Sequence, residues 1–272
     1  MDSFERFCKI RLQLSDLTVI GHIQHIRLFL RSMNNELVET ITIQDVENFM
    51  HEYLESKSAN TYRKMLCTLK VFFRDFLKRP DIIADFKFPK IPIKSKMGLV
   101  NKGQLRIFYD ALPSLREKAV FLMYATTGLR CSEVLDLSFE DVDFSLRMVM
   151  PKNHSGNTKK SWVSFYNKEC DAVLKEYLEQ RMDRGVKIFS VSKKRIETLF
   201  SMTSREVNIR ITPQTLREWF CSEMGRLGVP DRYVDAFCGR VPKSVLSRHY
   251  TDYSPEVLRE IYEKAKLSVL SN

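Results

Sequence analysis

Glycine and proline are scarce, nine of each in 272 residues, which excludes the loop-rich and disordered classes. Cysteine occurs six times, as Cys8, Cys67, Cys131, Cys170, Cys221 and Cys238, but never in a C-x-x-C pair. That leaves no zinc spacing and no disulfide framework. No apolar run approaches the length of a membrane span. The opening Met-Asp-Ser-Phe-Glu-Arg has no secretory signal character, so a cytoplasmic protein with reduced thiols is expected. There is no internal repeat and no low-complexity tract. No cluster of Asp, Glu or His stands beside the chemistry-bearing residues named below, so no metal and no cofactor is expected.

What is present is apolar residue at helical spacing and an excess of positive charge. Hydrophobic residues make up 44% of the chain, enough for a sizeable core, and the length suits two domains. The formal net charge of +10 points to a polyanionic partner, nucleic acid before membrane. Val19, Ile23, Ile26, Leu30 and Met33 form one stripe and predict a helix from about Asp16 to Met33. Thr42 followed by Asp45 reads as an N-cap, opening a helix with Val46, Phe49, Met50, Tyr53 and Leu54 on one face. A third helix, from Asn60 to about Lys78, has Tyr62, Met65, Leu66, Leu69, Phe72, Phe73 and Phe76 on its apolar side. At about 100° per residue, Arg63, Lys70, Arg74 and Lys78 share a narrow sector on the opposite side, a candidate DNA-contacting stripe.

From Phe86 to Gly98, prolines alternate with Lys87, Lys90, Lys94 and Lys96, which excludes a helix interior. This stretch reads as a basic linker, with Lys90 and Lys94 placed to follow a phosphate backbone. Beyond it, helices are predicted over Gln104–Leu112 and Leu115–Ala125, the latter ended by Gly128, and another begins near Arg130. Residues 139–144 read as a turn, and 147–150 and 162–165 as a hairpin with residues 153–157 at its tip. Further helices are expected over Asp171–Arg184, in one or two pieces over Val191–Arg210, after the Thr212-Pro213 start, over Asp231–Cys238, and from Ser254 to Leu267. Tyr250 falls in a short helical segment begun by Pro242.

Breaking a phosphodiester by transesterification needs an in-line nucleophile, cations on the non-bridging oxygens, and an acid for the departing 5′ oxygen. Arginine suits the second task, because its planar fork binds phosphate bidentately and stays charged. Lysine suits the third, and a tyrosine beside cations suits the first. Thr127-Gly128-Leu129-Arg130-x-Ser132-Glu133-x-x-x-Leu137 resembles the first arginine box of tyrosine recombinases, the lambda-integrase and Xer class. Ile211-Thr212-Pro213-x-x-Leu216-Arg217 resembles the second box. Cys238-Gly239-Arg240 followed by Arg248-His249-Tyr250-Thr251 resembles the region that ends in the nucleophile. The pattern is closest to archaeal viral and Xer-like integrases.

The resemblance implies a mainly α protein with a small antiparallel β-sheet, built as a two-domain clamp. Residues 1–88 would be a helical core-binding domain, 89–99 a basic linker, and 100–272 an α/β catalytic domain with a C-terminal docking helix. It further implies that Arg130 and Arg217 bind the scissile phosphate, with Glu133 orienting Arg130, and that Tyr250 attacks to form a 3′-phosphotyrosyl link. The hairpin lysine is either Lys152 or Lys159. Gln214 stands where the family usually has histidine, and Arg240 where it usually has histidine or tryptophan. Gln214 donates hydrogen bonds but cannot act as a base. The implied partners are double-stranded DNA at the nucleoid and further copies of the chain: a tetramer on paired sites, a monomer or weak dimer when free. The apolar side of residues 254–270 would dock on a neighbouring subunit. Two rival readings are a type IB topoisomerase-like enzyme and a DNA-binding accessory protein whose site has decayed. With so many cations facing phosphate, duplex affinity should fall steeply between low and moderate salt; a nearly flat titration would count against the clamp.

Overall fold

The computed structural model describes every residue except 34–36, 56, 92–97, 152–162, 184, 241–243, 246–248 and 272, together with the Leu54 side chain. The chain divides into two compact units, Met1–Ser95 and Lys96–Asn272. Each has its own hydrophobic core.

The first unit is helical: α1 (Asp2–Ile10), α2 (Asp16–Ser32), α3 (Ile43–Glu55) and α4 (Ala59–Lys70). Helix α1 is absent from the periodicity reading because only Phe4 and Cys8 of its nine residues are buried. Phe4 nonetheless packs edge-on against Phe72, with ring centroids 5.1 Å apart. On α2, Phe29 is fully buried while Leu30 is only half-buried, so the inner face is turned slightly from the expected stripe. Helix α3 starts as expected: the Asp45 carboxylate accepts from the Thr42 backbone N–H at 2.8 Å. Helix α4 is capped by Ser58, two residues before the expected start. It continues as a π-helical turn over Val71–Phe76 rather than as α-helix. That wider turn buries Phe72 and Phe73 together.

The second unit holds α5 (Lys102–Asp110), α6 (Leu115–Thr127), α7 (Cys131–Asp136), α8 (Lys168–Gln180), α9 (Lys193–Glu206), α10 (Pro213–Arg226), α11 (Asp231–Phe237) and α12 (Pro255–Ala265). Helix α6 is buried on nearly every side from Ala119 to Thr127 and packs against α8 and α10, as an all-round apolar helix must. A three-stranded antiparallel sheet is formed by β1 (Val142–Asp143), β2 (Met148–Val149) and β3 (Ser164–Phe165). Val142 pairs with Val149, and Val149 with Ser164. The stretch expected to be a plain turn therefore contributes a strand, too short to show alternation. Helix α8 begins three residues earlier than predicted, because Asn167 caps the Cys170 N–H at 2.9 Å. It ends at Gln180, where Arg181 turns extended and donates to the carbonyls of Lys187 and Ile188 at 2.6 and 3.0 Å. Within residues 191–210 a single helix forms, α9, the first of the two alternatives.

Part of the apolar side of α12 packs into its own unit, while Val257 and Ile261 stay half-buried. Leu258, Tyr262 and Ala265 are buried, and the Tyr262 hydroxyl donates to the Thr126 carbonyl at 2.9 Å. The tail after α12 is fastened as well. The Glu169 carboxylate accepts from the backbone N–H of Val269, Leu270 and Ser271 at 2.7, 3.1 and 2.8 Å.

In the first unit, His22 and His25 both face the Thr68 hydroxyl, Nδ1 to Oγ1, at 2.6 and 3.0 Å. Burial lowers both imidazole pKa values, with the neighbouring His25 adding to the effect on His22 and Lys64 to that on His25. A folded-state pKa below the unfolded one means that the unfolded chain binds more protons. Stability is then complete above the unfolded value of about 6.5 and is lost as pH falls through it toward the folded value. Thermal melts should thus show the first unit weakening between pH 7.5 and 5.5, with a smaller loss in His22→Asn. Equal losses in both proteins would refute this assignment.

Candidate active site

The site is built on one tight turn at the end of α11. Helix α11 stops at Cys238, and Gly239 follows in the left-handed region at φ 58°, where glycine has no Cβ to clash. The turn presents two consecutive carbonyls to two arginines from distant parts of the chain. Arg217 donates from Nη2 to the Cys238 oxygen at 2.8 Å, and Arg130 from Nη2 to the Gly239 oxygen at 3.3 Å.

Each arginine is held from a second side. Arg217 lies on α10, which opens with Thr212 accepting from the Thr215 N–H at 3.1 Å and with Pro213 in its first turn. Its Nη1 donates to the Gly128 carbonyl at 2.6 Å. Gly128 ends α6 at φ 65°, and Thr127 fixes the turn by accepting from the Leu129 N–H at 3.2 Å. Arg130 is the N-cap residue of α7. The Glu133 carboxylate accepts from its backbone N–H and from Nη1, both at 2.7 Å, and Glu133 itself is buried. Among the described residues each guanidinium thereby commits two of its five N–H groups to the protein, which leaves three.

Arg217 is only 6% exposed, and among the described residues no carboxylate lies within ion-pair distance of it. Burial, with Arg130 adding to it, pulls its pKa below the ordinary arginine value. A buried cation held by carbonyls rather than neutralised by an acid is preorganised for an external anion.

Arg240, next along the turn, is 2.9 Å from the Asp235 carboxylate and 3.5 Å from the Cys221 sulfur. Burial opposes its charge, but the Asp235 hydrogen bond and the neighbouring thiols raise its pKa overall. Gln214 is exposed and donates to the Glu218 carboxylate at 3.0 Å. It lines an open cleft of about 780 Å³ together with Arg217, Cys131, Lys193, Arg205 and Arg210. The last three cations were missed in the sequence reading, although Lys193-Lys194-Arg195 in the first turn of α9 was a visible signal. Tyr250 is 77% exposed, and among the described residues no hydrogen bond joins it to Arg130, Arg217 or Arg240. Lys152 and Lys159 lie outside the described residues.

The basic stripe of the first unit is corrected in its second half. Arg63 and Lys70 do share a face of α4, and both sit over the Phe88 ring, at 5.5 and 5.6 Å from its centroid. Arg74, however, lies in the π-helical turn and pairs with Asp75 at 2.7 Å. Lys78 is past the helix end, in the left-handed region at φ 59°. A spacing of 100° per residue does not hold through that turn. Lys90 is exposed in irregular chain, and Lys94 lies outside the described residues.

The model of the phage integrase family matches residues 100–256, and that of the phage integrase N-terminal SAM-like domain matches residues 1–82. The chain belongs to the phage integrase family. Among curated members, tyrosine recombinase XerA of Pyrococcus horikoshii is 27% identical over 236 residues, covering 83% of this chain and 81% of the relative. Tyrosine recombinase XerC of Bacillus pumilus is 24% identical over 292 aligned residues, covering 95% of this chain and 93% of the relative. The crystal structure of a lambda integrase tetramer bound to a Holliday junction matches with a TM-score of 0.71 at 13% identity, covering 93% of this chain and 78% of that one. At that identity the likeness is one of fold. It fits a mostly helical integrase with a small three-stranded sheet. Among the described residues no group of His, Cys, Asp or Glu is placed to hold a metal ion, and no helix is long and apolar enough to cross a membrane.

Gly128 gives this integrase site its sharpest steric test. A Cβ there would run into the buried Phe220 ring and come within 3.0 Å of the Cys238 sulfur, at a φ that L side chains avoid. Gly128→Ala should cost about 2–5 kcal/mol in urea unfolding, the sum of left-handed strain and overpacking. A loss under about 0.5 kcal/mol, the range of a neutral surface change, would show that the close approach is not real.

Proposed function

We propose that the protein is a site-specific DNA recombinase that cleaves and rejoins duplex DNA through a 3′-phosphotyrosyl intermediate. The observation that carries this reading is the convergence of Arg130 and Arg217, 87 positions apart in the sequence, on the consecutive carbonyls of Cys238 and Gly239. Their free N–H groups bind the two non-bridging oxygens of the scissile phosphate and stabilise the charge that builds there in the transition state. Arg240 adds a third cation at the rim. The Tyr250 hydroxyl gives up its proton to solvent and attacks phosphorus in line: the bond from tyrosine oxygen to phosphorus forms as the bond to the 5′ oxygen breaks. Lys152 or Lys159 returns a proton to that leaving oxygen. Attack by the 5′ hydroxyl of a second duplex reverses the steps and completes strand exchange.

The exposed Tyr250 fits an enzyme whose nucleophile is brought to the arginines by DNA and by assembly. The lambda integrase structure named above is a tetramer on a Holliday junction, and the same assembly is the reading for this chain on paired sites. Duplex DNA at the nucleoid is then the working partner. Residues 1–88 act as the core-binding domain, 89–99 as the linker and 100–272 as the catalytic domain. Arg63 and Lys70, with Phe88 beneath them, contact phosphate, helped by Lys90 and Lys94.

The test begins by selecting the bound sequence from a random duplex pool and building a nicked suicide substrate on it. Wild-type protein should become covalently attached to the cleaved strand, and two such sites should exchange strands. Tyr250→Phe should bind the duplex within about threefold of wild type and give no adduct, a loss of at least about a thousandfold. Trapping that persists in Tyr250→Phe would remove this residue as nucleophile. Trapping without exchange between two sites would favour the topoisomerase-like reading, and binding without trapping the decayed accessory protein.

A further inference from the structure

Behind the arginine turn lies a pair of thiols that the proposed reaction does not use. Cys221 stands four residues after Arg217 on α10, on the same helix face, and Cys238 is the residue that ends α11. Their sulfurs are 3.3 Å apart. Cys238 is fully buried and Cys221 half-buried, so one partner is reachable by a small solute and the other is not. The Cys221 sulfur also faces the Arg240 guanidinium at 3.5 Å.

These contacts give the two sulfurs different roles. The contact with Cys238 and the charges of Arg240 and Arg217 pull the Cys221 thiol pKa down, against the effect of burial. Contact with Cys221 and burial raise the Cys238 thiol pKa. A thiolate stabilised by arginine with a second thiol in contact is the arrangement of an oxidisable, self-resolving pair. The other cysteines lack it. Cys67 is exposed on α4, Cys8 and Cys170 are buried in the helical cores, and Cys131 sits against the Tyr124 hydroxyl at 3.3 Å.

We propose that Cys221 and Cys238 form a peroxide-sensitive disulfide that switches off strand cleavage, an inference that rests on the recombinase reading of the same site. The Cys221 thiolate attacks one oxygen of a hydroperoxide; the O–O bond breaks, a sulfenic acid forms, and the departing oxygen takes a proton from solvent as alcohol or water. The Cys238 sulfur, losing its proton, then attacks the Cys221 sulfur. The S–S bond forms, the S–O bond breaks, and the hydroxide leaves as water. The thiol pair loses two electrons and the peroxide gains them.

Closing this bond brings the sulfurs about 1.3 Å nearer than their present 3.3 Å. The Cys238 carbonyl is an acceptor for Arg217, and the Gly239 carbonyl beside it is an acceptor for Arg130. Pulling on Cys238 therefore moves the supports of both arginines. Arg240 at the same time loses the thiolate that faces it. Displacements of this size at a reacting centre cost on the order of tenfold to a hundredfold in rate.

The full-length protein is treated with hydrogen peroxide, then split, and one half is treated with dithiothreitol. Intact mass, peptide mapping and single-turnover cleavage of the suicide substrate are read on each sample. The expected result is a loss of two hydrogens mapped to Cys221–Cys238, with cleavage at least about tenfold slower and recovered by the reductant. In Cys221→Ser the ratio of oxidised to untreated cleavage should stay near one, as it should in Cys238→Ala. Comparing each variant with itself removes any change in its starting rate. Absence of the bond would overturn the proposal, as would a bond that leaves cleavage unchanged. Inactivation that survives in Cys221→Ser would assign the effect to another cysteine and overturn it equally. If the reduced protein cleaves nothing while the bond still forms, it is the recombinase reading that fails, and with it the switch.

Discussion

Two backbone carbonyls in sequence, those of Cys238 and Gly239, hold this site together. One accepts from Arg217 and the other from Arg130, so two side chains from separate helices are registered against two successive peptide groups of one turn. Fixing them this way imposes conditions on the rest of the second unit. Helix α11 must stop at Cys238, Gly239 must turn left-handed, and α6 must end in another left-handed glycine whose carbonyl meets Arg217. The all-round burial of α6 makes that end rigid.

What is not assembled is equally informative. The arginines are locked and partly desolvated, whereas Tyr250 is largely exposed and not bonded to them. Among the described residues Arg217 has no acidic partner, and a buried guanidinium of that kind gains most from an anionic ligand. The exposed Tyr250, the proposed nucleophile, carries no such cost. This division suits an enzyme that must not cut until its DNA complex is complete. One thiol of the pair belongs to Cys238, whose carbonyl accepts from Arg217, so chemistry at sulfur reaches the arginine turn directly.

Much of this was legible in the sequence, for definite physical reasons. Helices α2, α3 and α10 carry long apolar stripes or caps that act locally, and Arg130 and Arg217 sit in motifs whose neighbours, Gly128 and Pro213, announce chain turns. Other features depend on contacts that no local pattern encodes. Helix α1 buries too few residues to show a period, and β1 is two residues long. The π-helical turn after Lys70 changes the angular spacing without changing the apolar sequence, which misplaced Arg74 and Lys78. The packing of α12 on its own unit stayed open in the sequence because its partners there, including Thr126, lie over a hundred residues upstream. The carbonyl acceptors and the Cys221–Cys238 contact are likewise products of tertiary packing.

The central claim is electrostatic: Arg217, held by two carbonyls, neutralises charge on a non-bridging oxygen as phosphorus is attacked. Cleavage of a suicide substrate whose scissile phosphate is replaced by a methylphosphonate, one charged oxygen becoming a neutral methyl, tests this most directly. With the ordinary phosphate, Arg217→Ala should slow tyrosyl adduct formation by at least about a hundredfold. With the methylphosphonate the same variant should lose less than about tenfold relative to wild type, because the charge it served is gone. An equal loss on both substrates would contradict the account, since Arg217 would then be a scaffold residue rather than the cation that stabilises the transition state.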